Sequence, residues 1–176
     1  EGVPRPWGNP GWTTPMGPGW SLDGDLKDPR PTPYERLPDK WGKWRGLHLQ
    51  GDQVLLDYTV AGVPVLEQVS FHRIEGRPFF TRILQFDAPV RNQSLVLGWV
   101  PNGETRVVGG FAFVRDPISR RFVAAKVTGL EKLSWISGAG GKLILHLVEV
   151  DRTKPVRIDL SYGEVRPDGL IDFPSP

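Results

Sequence analysis

The 176-residue sequence contains no cysteine. That absence excludes disulfides, thiolate metal sites, cysteine nucleophiles and covalent haem attachment through a Cys-x-x-Cys-His motif within this chain. No apolar run approaches the ~20 residues that a membrane-spanning helix needs, and no basic-then-apolar segment stands at the N-terminus. The chain reads as soluble or as an already processed export product, and a start at Glu1 without Met is what removal of an upstream segment would leave. Neither sign of charge dominates, since 22 Lys+Arg stand against 20 Asp+Glu for a formal charge of +2. The cations are scattered instead of forming the stripe that displaces counterions from phosphates, which argues against nucleic-acid binding. A nucleophile elbow, a phosphate-cradling Gly-rich loop and a dinucleotide fingerprint are missing. So is any repeat of fixed period, which disfavours propellers and solenoids.

What is present is turn chemistry and aromatic surface. With 21 Gly, 18 Pro and 39% hydrophobic residues, the chain is turn-rich yet can still build a core, and its length suits one domain. Residues 1–38 carry prolines from Pro4 to Pro38 that deny a helix interior or a central strand. Trp7, Trp12 and Trp20 are interleaved with them. Indoles bury large apolar areas, so this arm is expected to pack on its own sheet or on a partner. Residues 39–176 are expected to form an antiparallel β-sandwich-like domain.

From Gly46 onward the apolar pattern has period two, the spacing of a half-buried strand. Val54, Leu56, Tyr58 and Val60 alternate with Leu55, Asp57 and Thr59, as do Phe80, Arg82, Leu84 and Phe86, and Val156, Ile158, Leu160 and Tyr162. Between such runs lie Gly51-Asp52, Ala61-Gly62, Gly76-Arg77-Pro78, Asn102-Gly103, Asp116-Pro117, Gly138-Ala139-Gly140-Gly141 and Asp168-Gly169, all turn formers. The regular spacing predicts a sandwich or barrel. Asp116-Pro117 also fits a helix N-cap, with Ile118, Phe122 and Ala125 on one helical face. The β-branched and aromatic residues over 121–127, with Gly129 after them, favour a hairpin turn at 116–119 followed by a strand.

His48, His72 and His146 each sit alone in a predicted strand, without a second ligand at i+2 or i+4, so a metal site is not expected. Asp57 and Glu67 interrupt apolar strands, and burial would raise their pKa values. Asp57 is out of phase with Leu56 and Tyr58 and points outward, whereas Glu67 is in phase with Val65 and Val69 and is expected to pair with an Arg. Of the seven Trp, Trp41 and Trp44 lie three apart beside Lys40, Lys43 and Arg45. They form either a platform for a sugar ring or a partner's apolar patch, or the lid of the sandwich. Trp99 and Trp135 read as core or rim, and the sequon Asn92-Gln93-Ser94 as incidental.

Residues 24–68 supply Leu37, Pro38, Trp41, Trp44, Gly46, Leu47, Gly51, Asp52, Tyr58, Thr59, Val60 and Gly62 in a pattern of proline-rich approach, Trp-containing turn and strand pair. The pattern resembles an uncharacterised domain of large exported bacterial proteins that also carry c-type cytochrome and dehydrogenase-like β-propeller modules. That resemblance implies a periplasmic or extracellular all-β accessory module of an electron-transport assembly, with no cofactor of its own and any haem in partner chains. The expected function is therefore a non-catalytic structural or docking subunit, with Trp7, Trp12, Trp20, Trp41, Trp44 and Arg45 as contact residues. Two other readings stay open: a carbohydrate-binding module stacking sugars on Trp41, Trp44 or Trp99, and a glycan-active enzyme using Glu67 with Asp57 or His72.

Overall fold

A computed structural model describes residues 14, 17–32, 35–74, 76–108, 111–138 and 140–164. Trp7, Trp12, most of the first sixteen positions and the Asp168-Gly169 turn lie outside the described residues. Among those described, the structure is all-β, with strands β1 (Gly42–Gln50), β2 (Gln53–Val60), β3 (Val63–Ile74), β4 (Arg77–Phe86), β5 (Val90–Trp99), β6 (Glu104–Val108), β7 (Phe111–Arg115), β8 (Arg121–Thr128), β9 (Leu133–Gly138), β10 (Lys142–Val150) and β11 (Val156–Glu164).

Turn chemistry fixes the local pairings. Ala61 and Gly62 both take positive φ, 49° and 81°, the backbone that joins two right-twisted strands through a two-residue loop. At 116–119 the hairpin reading holds over the helical one. The Asp116 carboxylate accepts from the Ile118 N–H at 2.9 Å and the Ser119 hydroxyl at 2.5 Å, an Asx turn that reverses the chain into β8.

The strands form an eight-stranded sheet in the order β1-β2-β3-β4-β11-β8-β7-β6 and a three-stranded sheet in the order β5-β10-β9. All the ladders are antiparallel. The two sheets share one core, in which Leu84, Phe86, Val114, Val123 and Ile158 of the large sheet meet Leu95, Leu97, Leu143, Leu145 and Leu147 of the small one. This is the expected antiparallel sandwich-like domain, with one asymmetry: a small sheet cannot cover all of a much larger one.

Part of the stretch read as an arm belongs to the sandwich. Ser21 N–H donates to the Ser94 carbonyl and Val96 N–H to the Gly19 carbonyl, both at 2.8 Å, so residues 19–21 extend the small sheet at its β5 edge. Trp20, opposite Leu95, then points into the core and meets Phe86 edge-to-face, with ring centroids 6.3 Å apart.

Candidate functional site

The register carries the inner, core-facing side of the large sheet outward to its β1 edge. Tyr58 pairs with Val65 of β3, and opposite residues of an antiparallel ladder share a face. On β1, Trp44 lies opposite Tyr58, Leu47 opposite Leu56 and Leu49 opposite Val54. Arg45 falls in a register shift between Trp44 and Gly46, and this bulge keeps Trp44 and Leu47 on one face although they are an odd number of residues apart. These side chains therefore face the same way as the core, yet they lie beyond the reach of the small sheet. Trp44 is 59% exposed, Leu47 51% and Leu49 72%, and Phe71 on β3 is 49% exposed. Val54, Leu56 and Val69 are half-buried between them.

Where this face passes under the core it carries an ion pair. Glu67, 3% exposed, accepts from Arg82 Nε at 2.5 Å, from Arg82 Nη2 at 3.1 Å and from the Tyr58 hydroxyl at 2.6 Å. Arg82 reaches Glu67 diagonally, because β3 and β4 place Val69 opposite Arg82 and Leu84 opposite Glu67. Burial first, and the adjacent Glu67 carboxylate second, hold the Tyr58 hydroxyl well above its ordinary pKa of 10.0. Desolvation opposes the charge on Arg82, but attraction and hydrogen bonding to Glu67 outweigh it and raise its pKa. The Arg partner expected for Glu67 is thus Arg82.

Pairing of Glu67 with Asp57 or His72 is ruled out by the faces. Asp57 lies opposite Leu66, and His72 alternates with Phe71, so both are on the outer side while Glu67 is on the inner one. Asp57 instead sits 3.4 Å from Arg45 and 3.5 Å from His48, in exposed pairs that contribute little to stability. His146 bonds the Ser94 hydroxyl through Nδ1 at 3.0 Å on the outer face of the small sheet. Among the described residues no group of three or more His, Cys, Asp or Glu could hold a metal ion.

The tryptophans divide sharply. Trp41 is buried, its Nε1 donating to the Trp20 carbonyl at 2.8 Å, so Trp20 and Trp41 serve the core and do not form a surface platform with Trp44. Trp44 and Arg45 remain accessible. Trp44 borders a cleft of about 140 Å³ shared with Leu37, Lys43 and Tyr58, smaller than the ~300 Å³ at which small-molecule pockets begin. Leu47, Leu49 and Phe71 were missed as surface residues from the sequence. Their period-two spacing was visible, but nothing in it says where the covering sheet stops.

Residues 1–67 match the family model described as Domain of unknown function (DUF6797). The matched stretch runs through the proline-rich segment, β1 and β2 to Glu67. No curated protein matches the chain.

Proposed function

We propose that this chain is a non-catalytic docking module that seats another protein on the uncovered inner face of β1–β3. The observation that carries the reading is the exposure of Trp44, Leu47, Leu49 and Phe71 on one continuous face. Contiguous apolar surface of this kind marks an interaction site in a soluble domain. An aromatic residue with aliphatic neighbours is also a composition enriched where binding energy concentrates. Glu67 supports a structural role in the same direction, because Arg82 and Tyr58 already occupy its oxygens.

The partner class follows from the resemblance of residues 24–68 to modules of exported, cytochrome-bearing proteins. The module sits in an exported redox assembly, and any covalently attached c-type haem is held by the partner, since this chain has no cysteine to form its thioether bonds. The proline-rich arm with Trp7 and Trp12 supplies a second contact, because extended proline-rich backbone is restricted before binding and loses less entropy on docking.

The test is gentle purification of the tagged chain from its native source, with mass spectrometry and a haem absorbance spectrum. It is run in parallel on wild type, on Leu47→Asp/Leu49→Asp and on a chain lacking residues 1–16, which removes Trp7 and Trp12 and leaves Trp20 in the core. The reading expects a defined partner with wild type, lost in the double variant and weakened by the deletion. A monomeric, colourless wild type, or a partner retained equally by both variants, contradicts it.

A further inference from the structure

We propose that the cleft at one end of the sandwich binds a neutral glycan, with a sugar ring stacked on Trp99. The site lies away from the β1 edge, and its argument is independent of the docking reading. The cleft measures about 460 Å³, within the ~300–1,000 Å³ of small-ligand sites. It forms where the β5–β6 loop, the β7–β8 turn and the ends of β8 and β11 converge.

The wall that carries Trp99 is interlocked by backbone. Val100 N–H donates to the Gly141 carbonyl and Gly103 N–H to the Val100 carbonyl, each at 2.9 Å. Trp99 Nε1 donates to the Gly140 carbonyl at 2.7 Å. A Cβ on Gly141 would stand 1.9 Å from the Val100 oxygen, and one on Gly103 2.3 Å from Val114 Cγ1, so this approach of two loops needs glycine at both places. The indole is thereby held in place with its N–H satisfied, and it remains 38% exposed. A preorganised aromatic surface loses little entropy on binding.

Polar residues also line the cleft. Asp116 is fixed by its turn, and Arg121 and Glu164 are exposed cross-strand neighbours at the rim. Tyr162 also lines the cleft, and its ring stacks on Phe80 at 5.8 Å with 22° between planes. An aromatic side chain and mixed donors and acceptors in one cleft suit a sugar, which offers C–H surface on its ring faces and hydroxyls that both donate and accept. Two carboxylates against one guanidinium disfavour a polyanion, and Arg121 in the rim disfavours a cation.

Affinity electrophoresis of the purified chain through gels containing xylan, mixed-linkage glucan or galactomannan, with polygalacturonate as the anionic control, tests this. At least one neutral polymer is expected to retard the wild type. Trp99→Ala and Arg121→Ala should each weaken that retardation, Trp99→Ala by at least about tenfold, while Trp44→Ala leaves it unchanged. Arg121 is exposed, so its variant stays informative even where Trp99→Ala perturbs folding. Absence of retardation by every neutral polymer, retardation by polygalacturonate instead, or loss in Trp44→Ala with retention in Arg121→Ala overturns the proposal.

Discussion

Changing Arg82 to methionine leaves the buried Glu67 carboxylate with one of its three hydrogen bonds, the one from the Tyr58 hydroxyl at 2.6 Å. Methionine keeps much of the arginine stem, so the change removes charge and donors more than volume. Removing one partner of a buried pair costs about 3–5 kcal/mol, because the surviving charge is left without its counter-charge in a poorly solvated place. The Arg82 side chain is 20% exposed, so water reaches the site and the lower end of that range, about 3 kcal/mol, applies. Urea unfolding followed by tryptophan fluorescence reads the loss. The triple change Glu67→Leu, Arg82→Met and Tyr58→Phe removes both charges and the hydroxyl together, and is expected to lie within about 1 kcal/mol of wild type, since replacing a buried pair by apolar groups is often neutral. A single variant costing under about 1 kcal/mol, or a triple variant as unstable as the single one, would refute the reasoning.

Further expectations rest on other parts of the molecule. Trp20→Ala should cost about 3–5 kcal/mol in the same unfolding assay, because its ring fills the core from the segment bridged to β5; a cost under about 1 kcal/mol would show that this segment is dispensable. Gly141→Ala should destabilise more than Gly62→Ala: both glycines have positive φ, 79° and 81°, but an added Cβ meets backbone at Gly141 and open space at Gly62, and equal melting temperatures would contradict this. Leu47→Asp/Leu49→Asp should change stability by under about 0.5 kcal/mol per site by thermal melting, since both side chains are exposed. Alkaline pH should weaken the fold through Tyr58: its folded pKa lies above the ordinary 10.0, so the stabilisation is complete below pH 10.0 and declines as pH rises toward the folded value. Tyr58→Phe should therefore flatten the alkaline limb of a stability–pH profile, and an unchanged limb would contradict the assignment.

The hairpins were legible because turn chemistry and period-two alternation are local. The strand predicted at 121–127 is β8, Arg121–Thr128, and the run from Val54 to Val60 lies in β2, Gln53–Val60. Alternation also placed Glu67 in the apolar phase and asked for an arginine. It could not name Arg82, because that contact depends on the register of β3 against β4. Trp41 and Trp44, three apart, read together as either a surface platform or the lid of the sandwich, but Trp41 precedes β1 and is buried while Trp44 stays exposed, and no local pattern separates them. The bridge from Trp20 to Leu95 was concealed in a proline-rich segment, being too brief for any period to register. Least legible was the division into sheets of unequal size, a consequence of long-range pairing, and both the exposed face at β1–β3 and the cleft beside Trp99 depend on how the strands are divided.

The central claim, that the inner face at β1 is a docking surface, is tested most directly by hydrogen exchange of the β1 amides in the free chain and in the assembly purified from its native source. Covering this face should slow exchange across Gly42–Gln50 and leave β8, buried in both states, unchanged. Equal exchange of β1 in the free and assembled forms would contradict the claim.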